Sequence, residues 1–128
     1  MSIVIVGSFK NKSGILEKRK ELLKDGCNVF PDEKFFVGAG PIIRAHHFDK
    51  KPLSPSLLTR LAERERTYLE EILLCDLVYV LNEKDGDEHI GLATAIEIGY
   101  ALALGIPIVF HREPTDQHLK IISRGLIR

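Results

Sequence analysis

The sequence predicts an α/β protein: a three-layer α/β/α sandwich with helices on both faces of a mainly parallel sheet of four to five strands. Three observations predict it. Short strand-forming runs alternate with amphipathic helical stretches along the whole chain, as in repeated βαβ units. The runs at residues 3–6 and 77–81 are apolar at every position rather than every second one, which suits strands covered on both faces. Glycine and proline fall at the joints, at Gly7, Gly26, Ser54-Pro55 and Gly105.

Each element follows in order. Residues 3–6, Ile-Val-Ile-Val, form the first strand, and a loop runs from Gly7 to Gly14. A helix over residues 13–24 places Ile15, Leu16, Arg19, Leu22 and Leu23 on one side. Gly26 sits where a left-handed cap stops it. A short strand over residues 27–30 ends at Pro31. Residues 31–55 lack clear periodicity, and a segment of that length is usually functional or mobile. Ser54 and Pro55 read as an N-cap and first helical residue, opening a helix to about Leu74. Asp76 opens the strand at residues 77–81, which ends at Asn82, and a polar loop covers residues 83–89. A helix over residues 92–104, a stop at Gly105 and a strand over residues 106–110 follow. A short helix at residues 115–123 closes the pattern.

At 128 residues the chain suits one domain, residues 1–128, with one core. Lysine and arginine number 18, aspartate and glutamate 18. A balanced charge argues against a nucleic-acid polymer as partner, because that affinity comes from clustered cations that neutralise phosphates. The basic stretch from Lys10 to Lys24 is interrupted by Glu17 and Glu21. No apolar run approaches the roughly 20 residues of a membrane span. The start has no basic stretch or cleavage site, so no signal peptide is expected. Cys27 and Cys75 lack metal-ligand spacing and read as buried thiols, which suits a reducing, cytoplasmic setting. A small-molecule ligand is the expected partner.

In a Rossmann-like or flavodoxin-like sheet, ligands bind beyond the carboxyl ends of the strands, where strand order reverses. That rule gathers the loops after Gly7, Phe30, Asn82 and Phe110. The first loop lacks both G-x-G-x-x-G and the phosphate-loop spacing G-x-x-x-x-G-K-[ST], so no dinucleotide cofactor is expected. No H-E-x-x-H or paired-cysteine motif is present, so no metal is expected. Glu97 stands out as the one carboxylate in an otherwise apolar helix. Thr94-Ala-Ile-Glu97 matches a capping box, in which Glu97 would bond back to the Thr94 N–H. The other reading is a carboxylate at the ligand rim, kept ionised by the helix N-terminus and suited to attack an anomeric carbon. Gly99 and the flanking alanines would let this helix lie close to the sheet.

Three stretches, Asp76-Leu-Val-Tyr-Val-Leu-Asn82, Gly91-Leu-Ala-Thr-Ala-Ile-Glu-Ile-Gly-Tyr-Ala101 and Gly105-Ile-Pro-Ile-Val109, together resemble the nucleoside 2-deoxyribosyltransferase family. Ile5-Val-Gly-Ser-Phe-Lys10 is similar to the first loop of its branch of 2'-deoxynucleoside 5'-phosphate N-hydrolases, where G-S-x-R helps hold the 5'-phosphate. The resemblance implies a small α/β sandwich, a homo-oligomer, no cofactor, and cleavage or transfer at the N-glycosidic bond of a nucleoside or its monophosphate. Glu97 takes the place of the catalytic glutamate. Gly7, Ser8, Phe9 and Lys10 take the first-loop positions, Gly91 and Thr94 the loop before the nucleophile, and Asn82 the strand end. Two positions depart from the family pattern. A tyrosine three residues before the loop glycine is Val4 here. An aspartate eight residues before Asp76, serving proton transfer or base positioning, is Tyr68, which is kept in the substrate-binding set. The acid partner is thus open among Asp49, His46, His47, Asp85 and Asp87. A non-catalytic nucleotide-binding or sensing module is the alternative, and a scaffold in which Glu97 merely caps its helix is a third reading.

Overall fold

The computed structural model of the chain describes residues 1–36 and 54–126. Four parallel strands form the central sheet: β1 (Ser2–Gly7), β2 (Asn28–Phe30), β3 (Leu77–Leu81) and β6 (Ile108–Phe110), in the order β2-β1-β3-β6. β1 registers Ile3 on Leu77 and Gly7 on Leu81, while Val80 faces Phe110 across the β3–β6 pair. The order reverses at β1, so the switch lies between β1 and β3.

Alternation along β1 assigns the two faces. Val4 and Val6 join Val78, Val80, Ile108 and Phe110 on one face, beneath α2 (Pro55–Leu74) and α3 (Leu92–Ala103), which contribute Tyr68, Ile72, Ile98 and Ala101. Ile3 and Ile5 join Tyr79 and Leu81 on the other, covered by Ile15 of α1 (Lys12–Lys24). All four apolar residues from Ile3 to Val6 are buried, each contributing about 1.5–3 kcal/mol relative to exposure. The last helix, α4 (Gln117–Leu126), packs against β6. This is the expected three-layer architecture, with four strands in the main sheet.

The helix stops are local and legible. Gly26 and Gly105 have φ of 83° and 70°, the left-handed region that glycine enters without a Cβ penalty. At each stop the following residue donates back into the helix, Cys27 N–H to the Leu22 carbonyl at 3.2 Å and Ile106 N–H to that of Ala101 at 3.0 Å. This use of Ile106 explains why β6 begins at Ile108 rather than at residue 106. Gly14, expected in a loop, lies inside α1, because the first loop is shortened by a 3₁₀ turn at Phe9–Asn11. α4 starts later than expected, since Asp116 caps it, accepting from the Leu119 N–H at 3.1 Å. The polar loop at residues 83–89 holds a small hairpin, β4 (Glu83–Lys84) with β5 (Asp87–Glu88). Asp85 and Gly86 turn it at φ of 53° and 82°, the conformation that an Asp-Gly pair favours. Asp76 accepts from the Ser2 N–H at 2.7 Å at the amino end of the sheet, a structural tie remote from the ligand rim. No helix among the described residues is long and apolar enough to cross a membrane.

Candidate active site

A cavity of about 670 Å³ opens at the carboxyl edge of β1, bounded by the first loop, by α2 and by the start of α3. Its position follows from the switch in strand order, which splays the loops after β1 and β3 apart. Gly7 sits where β1 leaves the sheet. A Cβ there would approach the Leu81 carbonyl oxygen to 2.9 Å, so only glycine lets the two strands stay paired to this edge. Ser8 caps the 3₁₀ turn through its Oγ, which accepts from the Lys10 N–H at 3.2 Å. Phe9 then folds over the cavity against Phe35 and Tyr68, with ring centroids 5.7 Å and 6.0 Å away.

The α3 helix supplies Thr94, Glu97, Ile98 and Ala101 as its buried stripe, at helical spacing. Its N-cap is Gly91, and no side chain caps it. Thr94 is therefore the third helical residue rather than the cap, and Glu97 lies in the second turn. The capping-box reading of Glu97 is thus overturned: the helical bonds begin with Ala95 N–H to Gly91 O, so the cap lies three residues before Thr94. Ala101, fully buried, makes the close approach to the sheet, whereas Gly99 is exposed and a Cβ on it would meet nothing.

Glu97 is only 4% exposed and faces Glu65 of α2, whose carboxyl is its hydrogen-bond neighbour. Two ionised carboxylates cannot share such a contact, because neither has a donor. One proton must lie between them. Burial, then the charge of Glu65 and the bond to it, push the Glu97 pKa up to about 9. Glu65 is raised as well, chiefly by burial, while the bond from Glu97 opposes that rise. The proton in the ligand-free pair therefore resides on Glu97, which donates to the Glu65 carboxylate. This corrects the expectation that the helix N-terminus keeps Glu97 ionised: desolvation and a like-charged neighbour outweigh a helix-end effect that falls off within the first turn. Glu65 Oε1 is buried and has no donor among the described residues, as fits a lone pair held ready for a proton or a ligand.

Tyr68 projects from α2 between this pair and the sheet. Its hydroxyl donates to the Ile5 carbonyl at 3.2 Å. Its pKa is raised well above the ordinary value by burial, then by the charges of Glu97 and Glu65.

Of the residues expected at the site, Gly7, Ser8, Phe9, Lys10, Tyr68, Gly91, Thr94 and Glu97 all line this cavity. Asn82 does not. It is fully buried, its amide donating to the Arg112 carbonyl at 2.9 Å and accepting from the Arg112 N–H at 3.1 Å. Both ends of the side chain are committed to holding the loop after β6 against the end of β3. That loop is held further by His111, which bonds Tyr79 at 2.6 Å and Glu83 at 3.1 Å. Asp85 and Asp87 lie on the β4–β5 hairpin and are exposed, outside the cavity lining. His46, His47 and Asp49 lie outside the described residues.

The sequence reading missed Glu65, Arg64 and His89, all in the lining. Glu65 carried a usable signal. It falls four residues after Leu61 and three before Tyr68, a carboxylate at an inward position of an amphipathic helix. Among the described residues no group of three His, Cys, Asp or Glu side chains is placed to hold a metal ion.

No protein-family model and no curated protein matches the chain. Among solved structures it is similar to a CMP N-glycosidase of Clostridium botulinum, BcmB, with a TM-score of 0.51 and 19% identity over 99% of this chain and 83% of that one. At this identity the likeness is one of fold.

Proposed function

We propose that the protein cleaves or transfers at the N-glycosidic bond of a nucleoside or nucleoside 5'-monophosphate, with Glu97 as nucleophile and Glu65 as its acid–base partner. The observation that carries this reading is the pair of facing carboxyls, Glu65 and Glu97, inside the cavity at the switch point. Glycosyl transfer with retention needs one carboxylate to attack the anomeric carbon and one acid to protonate the leaving group. A singly protonated pair contains both. The fold likeness to a CMP N-glycosidase supports the same reaction class.

Glu97 passes its proton to Glu65 as substrate enters. The Glu97 carboxylate attacks C1' of the sugar, the C1'–N bond breaks, and Glu65 delivers the proton to the departing base. The sugar is then esterified to Glu97 and Glu65 is ionised. Glu65 next takes a proton from water, whose oxygen attacks C1' and releases Glu97 as carboxylate. The pair again holds one proton and one negative charge. An acceptor base in place of water turns hydrolysis into transfer. Thr94 and Tyr68 line the cavity with Glu97, and Ser8 and Lys10 stand where a sugar hydroxyl or phosphate would bind. Leu58, Leu92 and Ile96 are 50%, 81% and 55% exposed beside the cavity, apolar surface that the proposed homo-oligomer would cover.

The test is base release from a panel of ribo- and deoxyribonucleosides and their 5'-monophosphates, followed by chromatography. Wild type should release base from at least one of them, and Glu97→Gln and Glu97→Ala should not. Undiminished release by either variant would remove Glu97 from the chemistry.

A further inference from the structure

Arg64 is a cation of the cavity that the reaction above does not use. It lines the same cavity as Glu65 and Glu97, one residue along α2 from Glu65, yet it pairs with neither. Its Nη2 donates to the Phe35 carbonyl at 2.6 Å. The guanidinium lies 4.3 Å from the Phe35 ring centroid and 5.6 Å from that of Phe9. Two rings and one carbonyl therefore fix its plane and use one of its five N–H donors. No carboxylate among the described residues forms an ion pair with it. Burial disfavours its charge most, Tyr68 partly offsets that, and the cation Arg60, one helical turn away, adds to the fall. A half-buried, oriented, unneutralised guanidinium facing a cavity is arranged to receive an anion.

The cavity is thus polarised. Its acidic pair, Glu65 and Glu97, bridges α2 and α3, while Arg64 lies against the Phe9 and Phe35 rings, and Ser8 and Lys10 of the first loop line the same cavity. A nucleotide has one anionic group that stays bonded to the sugar after the base has left. A cation holding that group keeps its grip through both halves of the reaction, and so anchors the part that becomes attached to Glu97.

We propose that Arg64 is the residue that makes the enzyme select a nucleoside 5'-monophosphate over the free nucleoside, by a paired guanidinium–phosphate contact from α2. This rests on the N-glycosidase reading. It adds a specificity residue on a different element from the first loop, where Lys10 offers a point charge without a fork.

Two arms test it. In the first, kcat/KM is measured for matched monophosphates and nucleosides on wild type, Arg64→Gln, Arg64→Lys and Arg60→Gln. Losing charge-assisted hydrogen bonds to phosphate costs on the order of 10- to 100-fold. Arg64→Gln should lose that factor on monophosphates and keep its nucleoside rate within about twofold. Arg64→Lys should fall between, and Arg60→Gln, the same charge change on the exposed side of the helix, should match wild type. An equal loss on both substrate types would make Arg64 merely structural and overturn the proposal. In the second arm, binding of dCMP, dAMP, CMP, AMP and inorganic phosphate is measured by calorimetry on Glu97→Gln with and without Arg64→Gln. Monophosphate binding weakened about 10-fold or more by the second substitution supports the proposal, and unchanged or absent binding overturns it. This arm needs no turnover. If no protein releases base, the N-glycosidase reading fails while the binding result still decides the role of Arg64. Circular dichroism and melting of each variant exclude misfolding as the source of a loss.

Discussion

Replacing Glu97 by glutamine should make the protein less sensitive to alkaline pH. The Glu97 carboxyl titrates near 4.5 when unfolded and at about 9 in the folded chain. Between those values the folded state holds a proton that the unfolded chain has released. Stability from this group is therefore fully present below about pH 4.5 and is lost as pH rises towards 9. The slope is about 1.4 kcal/mol per pH unit. From about pH 5 to about pH 8 the loss is about 4 kcal/mol. With roughly 2.1 cal/mol/K of unfolding entropy per residue, a chain of this length shifts its melting temperature by about 15 °C for that difference. Glutamine keeps an N–H donor for the Glu65 carboxylate and cannot ionise, so the variant should lack this slope. The assay is thermal unfolding of wild type and Glu97→Gln at several pH values, read as the difference between them so that other titrating groups cancel. Wild type should lose about 15 °C relative to the variant across this range. Parallel curves, within about 2 °C, would refute the shared proton and with it the assignment of roles to Glu65 and Glu97.

Three further outcomes follow from the same geometry. The pH profile of kcat/KM should be bell-shaped, with its alkaline limb near 9, where the pair loses its single proton, and its acid limb above the ordinary carboxylate value because Glu65 is also raised. Both limbs belong to the pair rather than to one residue. Glu65→Gln should lower kcat by roughly 10²- to 10⁴-fold, the usual worth of general acid–base catalysis. Substrates with a better leaving group should lose less, which steady-state kinetics on an activated nucleoside would show. Asn82→Ala should cost about 2–4 kcal/mol of stability, since two backbone groups of Arg112 lose their partners. Its KM should hold at temperatures where it is folded, and a large KM change would restore Asn82 to the ligand site.

The layered fold was legible because its determinants are local. Unbroken apolar runs, glycine stops and helical stripes each act over a few residues. The place of Glu97 was legible for the same reason. Its neighbours were not. Glu65 is 32 positions earlier in the chain, and only the packing of α2 against α3 brings the two carboxyls together. That packing also reversed the expected charge state, since desolvation depends on what covers a group and not on its place along its own helix. Asn82 misled because a polar residue at a strand end looks alike in sequence whether it meets a ligand or a backbone.

By itself the sequence determined that this is a mainly parallel α/β sandwich of four to five strands with a single carboxylate, Glu97, near the start of an apolar helix, because periodicity and turn chemistry are written residue by residue. The tertiary structure alone decided what faces that glutamate. A proton shared across two helices, and an arginine clamped between two rings, exist only when distant segments close on one cavity.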